Sequence, residues 1–445
     1  MNSDDDDECG TLCERNPRTL PLLGYSVVIG LAAGVVTTLY RYVLTYLEEY
    51  SGKAYGYISD HVIFVIPAFV LLALAGYGIG VMVEKHKILS GSGIPQVKGV
   101  LTGQIKIKWF RTMVGKFIGG CASMLAGLSL GREGPSIQIG ASMAQGISDR
   151  AAATDEEKRI LIASGASAGL AAAFNAPLSG VIFTLEEVFK SFSPLILLTG
   201  MIAAVISDSI SRLAMGSASI FDFSVTGVQI SEYWIILVLG VGLGLFGAVY
   251  NKVLLYSIKL FEKIKKMRYR PMIVFLIAGV FGLLFPTVIC GGDAMINSIN
   301  VEDTIGFLCI ALVLKFLFSM ASYGSGAPGG IFFPLLVMGA AFGAIFAQIA
   351  IIGFGFDPSI FNNLMVLSMA GLFTAIVRAP ITGIVLLVEM TGSFSLILPL
   401  SVVAVIAYVT ADLCKSEPIY NSLLRNLLKG QKEDQTGKGS EQSSH

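Results

Sequence analysis

Gly131-Arg132-Glu133-Gly134-Pro135 and Gly330-Ile331-Phe332-Phe333-Pro334 are two settings of one pattern, and Gly140-Ala141 and Gly339-Ala340 follow them at the same spacing. Glu133 and Phe332 therefore hold equivalent places. Further along, Ala-Gly-Leu at 168–170 leads to Ala176-Pro177-Leu178-Ser179-Gly180, and Ala-Gly-Leu at 370–372 leads to Ala379-Pro380-Ile381-Thr382-Gly383. Both echoes are offset by roughly the same distance, which marks a duplicated domain.

Composition identifies the solvent. Hydrophobic residues make up 54% of the 445, charged residues 14%, and mean hydropathy is +0.73. A surface facing water throughout does not tolerate that balance, so most of the chain sits in lipid. Apolar stretches over 21–47, 62–83, 195–214, 232–258, 271–289, 304–322, 335–353 and 394–411 approach the length a bilayer requires, about 20 helical residues. From 109 to 190 and from 324 to 392 the apolar runs are cut by Gly and Pro. There the pattern predicts half-helices that end inside the protein, where unpaired backbone groups line a cavity instead of touching lipid. The 50 glycines suit close helix contacts of this kind.

Formal net charge is zero, which gives nucleic acid no electrostatic footing. The acidic start, Asn2-Ser3-Asp4-Asp5-Asp6-Asp7-Glu8, reads as a solvated cytosolic tail over 1–20, not a secretory signal, and 429–445 as a second polar tail. Of 6 cysteines only Cys9 and Cys13 lie close together, and with 3 histidines in the chain neither a metal nor another cofactor is expected. Membrane repeats are expected over 21–258 and 271–413, with a C-terminal helix over 414–428. Between the repeats, residues 259–270 carry Lys259, Lys263, Lys265, Lys266, Arg268 and Arg270. The positive-inside rule puts this linker in the cytosol, whereas inverted halves with two cytosolic termini put it outside. The sequence leaves both open.

Chemistry depends on the breaks. In Gly91-Ser92-Gly93-Ile94-Pro95 the proline suits the first turn of a helix, with free amides and the Ser92 hydroxyl just before it. The two Gly-to-Pro pentapeptides likewise present free N–H groups where helices begin. Three such termini, if they converge, create positive partial charge without a full cation, attractive to an anion yet weak enough to release it.

Gly91-Ser92-Gly93-Ile94-Pro95, Gly131-Arg132-Glu133-Gly134-Pro135, Gly330-Ile331-Phe332-Phe333-Pro334 and the late Tyr420 resemble, in order, the anion-binding segments of the CLC chloride channels and transporters. The resemblance runs from about Leu22 to Leu428. It implies an all-α polytopic membrane protein of two inverted-topology repeats, built from tilted and incomplete helices. It further implies a homodimer with one ion pathway per subunit, multi-pass in the plasma (inner) membrane of a prokaryote. Carried over residue by residue, Ser92 and Tyr420 give hydroxyls to a central chloride and the amides of Ile331 and Phe332 complete its site. Glu133 becomes the gating carboxylate, which occupies an anion site when ionised and leaves it when protonated.

Glu187 bears on proton coupling. The repeat aligns Glu186 with Glu389 and leaves Glu187 opposite Met390, so Glu187 is particular to the first half. In proton-coupled members of the family a glutamate at this place takes protons from inside, which favours a chloride/proton antiporter over a passive chloride channel. Serine at position 92, where nitrate-preferring members tend to carry Pro, points to chloride. Phe333 stands where bacterial relatives often have Ala; its ring is expected either to narrow a vestibule or to pack against neighbours. Plainer readings exist for several residues. Glu133 could pair with Arg132, Glu187 could be an interfacial partner of Lys190, Tyr420 could belong to an aromatic belt, and Phe332 could be core. For Arg378 and Glu389 a helix-tethering salt bridge is expected. An intramembrane enzyme lacks support, since no Ser/His, His/Glu or paired-Asp arrangement suited to hydrolysis stands out.

Overall fold

The computed structural model describes residues 19–151, 154–217, 220–221, 223–225 and 227–442. The acidic tail with Cys9 and Cys13 lies outside them, apart from Thr19 and Leu20, which open the first helix; residues 443–445 also lie outside. Among the described residues the regular structure is helical: α1 Thr19–Asp60, α2 Val65–Lys85, α3 Ile94–Leu101, α4 Trp109–Leu125, α5 Glu133–Ser148, α6 Asp155–Phe174, α7 Pro177–Phe183, α8 Pro194–Met215, α9 Tyr233–Glu262, α10 Tyr269–Leu284, α11 Asp293–Ser298, α12 Ile305–Gly324, α13 Phe332–Phe354, α14 Ile360–Val377, α15 Pro380–Thr391, α16 Ile397–Leu413 and α17 Ile419–Gln442. A π-helical turn, Thr184–Phe189, prolongs α7.

Starts and stops follow the local chemistry. Proline sits in the first turn of α3, α7, α8 and α15, where its missing N–H costs nothing. The helices after the two pentapeptides begin ahead of their prolines, at Glu133 and Phe332, so these residues are themselves first in line at a helix N-terminus. Asn175 and Arg378 close α6 and α14 in the left-handed region, at φ 51° and 68°.

Among the described residues, eight helical stretches are long and apolar enough to cross a membrane. Two differences from the sequence expectation stand out. Residues 360–377, expected to be interrupted, form one continuous helix whose apolar window is 94% buried inside the protein. Conversely, the stretch expected to span over 271–289 is the shorter helix Tyr269–Leu284. α6 and α14 are buried on nearly every side, as helices without a polar face must be when they sit at the centre of a membrane protein. Glycine permits the approach: a Cβ on Gly140 of α5 would collide with the Gly165 carbonyl of α6, and one on Gly339 of α13 would lie 2.8 Å from the Met369 Cα of α14.

The two halves are repeats of inverted topology. α1 packs on α6 and α8 as α9 packs on α14 and α16, and the pairs α5/α6 and α13/α14 correspond in the same way. The joint between repeats therefore falls in the segment between α8 and α9. The basic run over 259–270, expected to be the linker, lies inside the second repeat at the turn from α9 to α10, where it corresponds to the α1–α2 turn. That shift removes the conflict over sidedness. Glu262, Met267 and Arg270 line a cavity together with Lys87, Ser90 and Gly91, and Arg268 pairs with Glu84 at 2.8 Å. The positive-inside rule assigns this shared, basic face to the cytosol.

Candidate functional site

At the centre the repeats are joined by a pair of backbone hydrogen bonds. Gly131 N–H donates to the Gly330 carbonyl and Gly330 N–H to the Gly131 carbonyl, each at 2.7 Å. This antiparallel bridge sits between the N-termini of α5 and α13 and holds them side by side. The N-terminus of α3 joins them. Gly329 N–H donates to the Gly91 carbonyl at 3.1 Å, and a Cβ on Gly134 would run into the Ser92 hydroxyl. Gly93, at φ 103°, could not be replaced without strain, and a side chain there would also meet Gln138. The three termini expected to converge do so.

Ser92 is 1% exposed, and Glu133, Phe332 and Tyr420 are fully buried. The Ser92 hydroxyl, the Tyr420 hydroxyl and both Glu133 carboxylate oxygens have no hydrogen-bond partner among the described residues. A buried polar atom left unpaired costs about 1–3 kcal/mol, so this many at one place marks a binding site more readily than a core. Helix N-termini supply the complementary charge. The amides of Ile331 and Phe332 open α13, and those around Glu133 open α5.

Side-chain packing separates backbone roles from ring roles. The Phe332 ring lies among Phe174, Phe183 and Phe373, with centroids 5.2, 6.0 and 4.7 Å away. Its amide is what the site can use. Tyr420, at the start of α17, is set edge-on against Phe183 at 6.3 Å. Its burial makes it an interior residue, not part of an aromatic belt. On the other side of Glu133, a narrow cleft is lined by Glu48, Met124, Gly131, Arg132, Gly291, Asp293 and Phe333. Arg132 is not hydrogen-bonded to Glu133; its guanidinium lies 5.9 Å from the centre of the Phe333 ring. Phe333 also stacks on Phe221 at 6.2 Å, so it both narrows this cleft and packs.

Glu187 sits in the π turn and is 1% exposed, enclosed by protein although its ion-pair partner Lys190 is half-exposed. Lys98 of α3 donates to its Oε1 at 2.8 Å, and Lys190 approaches its Oε2 at 3.9 Å. Glu186, its neighbour, points elsewhere: it accepts from the Ile381 and Thr382 amides and the Thr382 hydroxyl at 3.1, 2.8 and 2.7 Å, capping α15. A π turn widens the helix by one residue per turn, and here it accompanies the divergence of two adjacent carboxylates. Glu389 does the reverse for α7, accepting from the Leu178 and Ser179 amides and the Ser179 hydroxyl. Arg378 and Glu389 thus do not pair with each other, although each ties one helix to another. Arg378 pairs with Asp412 at 3.5 Å and donates to the Tyr408 and Ser416 carbonyls.

Several neighbours of these residues belong to no motif in the sequence. Lys116, fully buried, donates to the Leu89 and Gly91 carbonyls at 3.0 and 2.6 Å and so fixes the loop that carries Ser92. Lys315 does the same for the Val288 and Cys290 carbonyls at 2.9 and 3.0 Å. The Tyr323 hydroxyl contacts the Ser92 backbone. A charged residue within an apolar helix was the available signal for both lysines.

The family description "Voltage gated chloride channel" matches residues 75–412. The chain is 33% identical over 434 residues to the H(+)/Cl(−) exchange transporter ClcA of Vibrio campbellii, covering 94% of this chain and 92% of that protein. It is 34% identical to the protein of the same name from Vibrio cholerae, covering 92% and 90%. Among solved structures it is similar to that of a slow cyanobacterial Cl−/H+ antiporter, with a TM-score of 0.85, 29% identity, and coverage of 92% of this chain and 99% of that one.

Proposed function

The chain belongs to the voltage-gated chloride channel family, and from that premise we propose that it is a secondary active transporter exchanging chloride for protons. Chloride is held centrally by the hydroxyls of Ser92 and Tyr420 and by the amides of Ile331 and Phe332. The observation that carries this reading is the set of unpaired, buried oxygens on Ser92, Tyr420 and Glu133 beside converging helix N-termini. Hydroxyls donate to an anion, and helix termini attract it without binding it irreversibly.

Glu133 is the gate. Its carboxylate begins α5, so when ionised it can occupy an anion position at the amides, and when protonated it gives that position up to chloride. Each exchange of carboxylate for chloride then carries one proton on or off. Glu187 passes protons from the cytosolic side toward this gate. The names of the relatives, exchangers in each case described above, support exchange over passive flow. As with other members of such a family, the unit is a homodimer with a pathway in each subunit, placed in the plasma (inner) membrane; photobleaching counts of two labelled subunits per particle and fractionation of the membranes test these points.

The central test uses protein reconstituted in liposomes with a chloride gradient, no pH gradient, and voltage set by potassium and valinomycin. Uphill proton movement that reverses with the chloride gradient supports exchange. Chloride flux with no proton movement overturns it in favour of a channel.

A further inference from the structure

Lys98 has no part in the anion site, yet three remote segments meet at its ammonium. It donates to Glu187 Oε1 at 2.8 Å and to Asn421 Oδ1 at 2.5 Å. Asn421 adjoins Tyr420, and Lys98 itself rides on α3, whose N-terminal end carries Ser92. The lysine is 5% exposed and Glu187 1%, so the pair is enclosed. We propose that Lys98 is a positioning residue for proton transfer: it anchors Glu187 by one carboxylate oxygen, leaves the other to accept the proton, and ties this group to both hydroxyl-bearing segments of the anion site.

The two oxygens of Glu187 have unequal surroundings. Oε1 is taken by buried Lys98, whereas Oε2 faces Lys190, whose side chain is 43% exposed and 3.9 Å away. Of the two oxygens, Oε2 is thus the one beside a solvent-exposed group, and in this proposal it is the one that takes the proton. The charged and polar groups around the carboxylate include Lys98 from α3, Tyr420 and Asn421 from α17, and Lys190 and Glu186 from its own segment, with Glu186 turned away to cap α15. A buried carboxylate in an enclosed site stays poised for proton exchange when a fixed cation compensates its charged form. The second repeat supports the pairing. Where it lacks the glutamate, at Met390, it also lacks the lysine: Asn297 of α11 stands in the place of Lys98. Lysine and glutamate are present together in one half and absent together from the other.

This inference rests on the exchange reading above, and the experiment separates the two. Chloride flux and chloride-driven proton flux are measured in liposomes for the native protein, Lys98→Met, Lys98→Gln, Lys98→Arg, Glu187→Gln and the double variant Lys98→Met/Glu187→Gln. In Lys98→Met, and in Lys98→Gln should the first fold poorly, protons moved per chloride fall to about one fifth of native or less, proton flux dropping further than chloride flux. Lys98→Arg, which keeps the charge, recovers at least about half of the native ratio, and the double variant loses no more than Glu187→Gln alone. A native ratio in Lys98→Gln overturns the role of Lys98, as does an equal loss of both fluxes in all three Lys98 variants, since that is what a merely structural lysine does. A native protein that moves chloride without protons overturns the exchange reading itself, and the inference with it.

Discussion

The two repeats share a backbone and differ in their side chains. In the first, the loop Gly91-Ser92-Gly93 is pinned by Lys116; in the second, Cys290-Gly291-Gly292 is pinned by Lys315 in the same manner. Even the unusual dihedrals recur, with φ 64° and 103° at Gly91 and Gly93 and φ 57° and 110° at Cys290 and Gly292. Against that common frame, the first half carries Ser92, Glu133 and Glu187, and the second carries Gly291, Phe332 and Met390 in their places. The architecture that creates helix termini at the centre is thus symmetric, and the hydroxyl and carboxylate side chains proposed to handle chloride and protons are placed on it asymmetrically.

The largest effect should come from the asymmetric carboxylates. We expect Glu133→Gln to reduce chloride-driven proton movement by about 100-fold, the scale of a lost proton-transfer group, while chloride still crosses. Glu187→Gln should match it in proton flux. The reverse substitution at the equivalent place, Met390→Glu, should leave proton flux at its native level, because no lysine waits on α11. The assay is the same liposome recording of external pH, and a proton-coupled Glu187→Gln variant breaks the assignment.

The pinning lysines test the symmetric part. Lys116→Met and Lys315→Met each strand two loop carbonyls, and we expect each to lower stability by about 1–3 kcal/mol, read from thermal unfolding in detergent. Their effects should then diverge. Chloride binding followed by calorimetry should weaken in Lys116→Met, whose loop bears Ser92, and hold in Lys315→Met. Equal weakening would mean that both loops contact the anion.

Smallest of all should be the caps. Glu186→Ala and Glu389→Ala each remove an acceptor from a helix N-terminus, a loss of about 0.5–2 kcal/mol. Because the two caps are near copies, the two melting temperatures should fall by similar amounts, and the ratio of protons to chloride should stay at its native value in both. A Glu186→Ala variant that uncouples would move Glu186 from architecture to proton transfer.

Much of this was legible in the sequence because duplication supplies its own alignment. Glu133 stood out by facing Phe332, and Glu187 by facing Met390. Glycine and proline announced the breaks between half-helices because those residues act through local backbone geometry. What stayed hidden involves reach across the fold. Lys98 meets Glu187 and Asn421 through contacts between distant segments, and no spacing in the chain encodes them. Arg378 and Glu389 were close enough in sequence to invite a pairing, yet each has a better partner elsewhere. The joint between repeats was misplaced because a run of lysines looks like a linker, whereas repeat boundaries are set by packing, here of α9 in the position of α1.

The reciprocal caps carry a consequence for biogenesis. The Leu178 amide opening α7 finds its acceptor in Glu389, 211 residues later in the chain. At a synthesis rate of roughly 5–20 residues per second, the first half must wait about 10–40 s in the bilayer with that helix end unfinished. Its own Glu186, meanwhile, has nothing yet to cap. Until the second repeat arrives upside down to complete it, the first repeat has helix ends whose native acceptors do not yet exist.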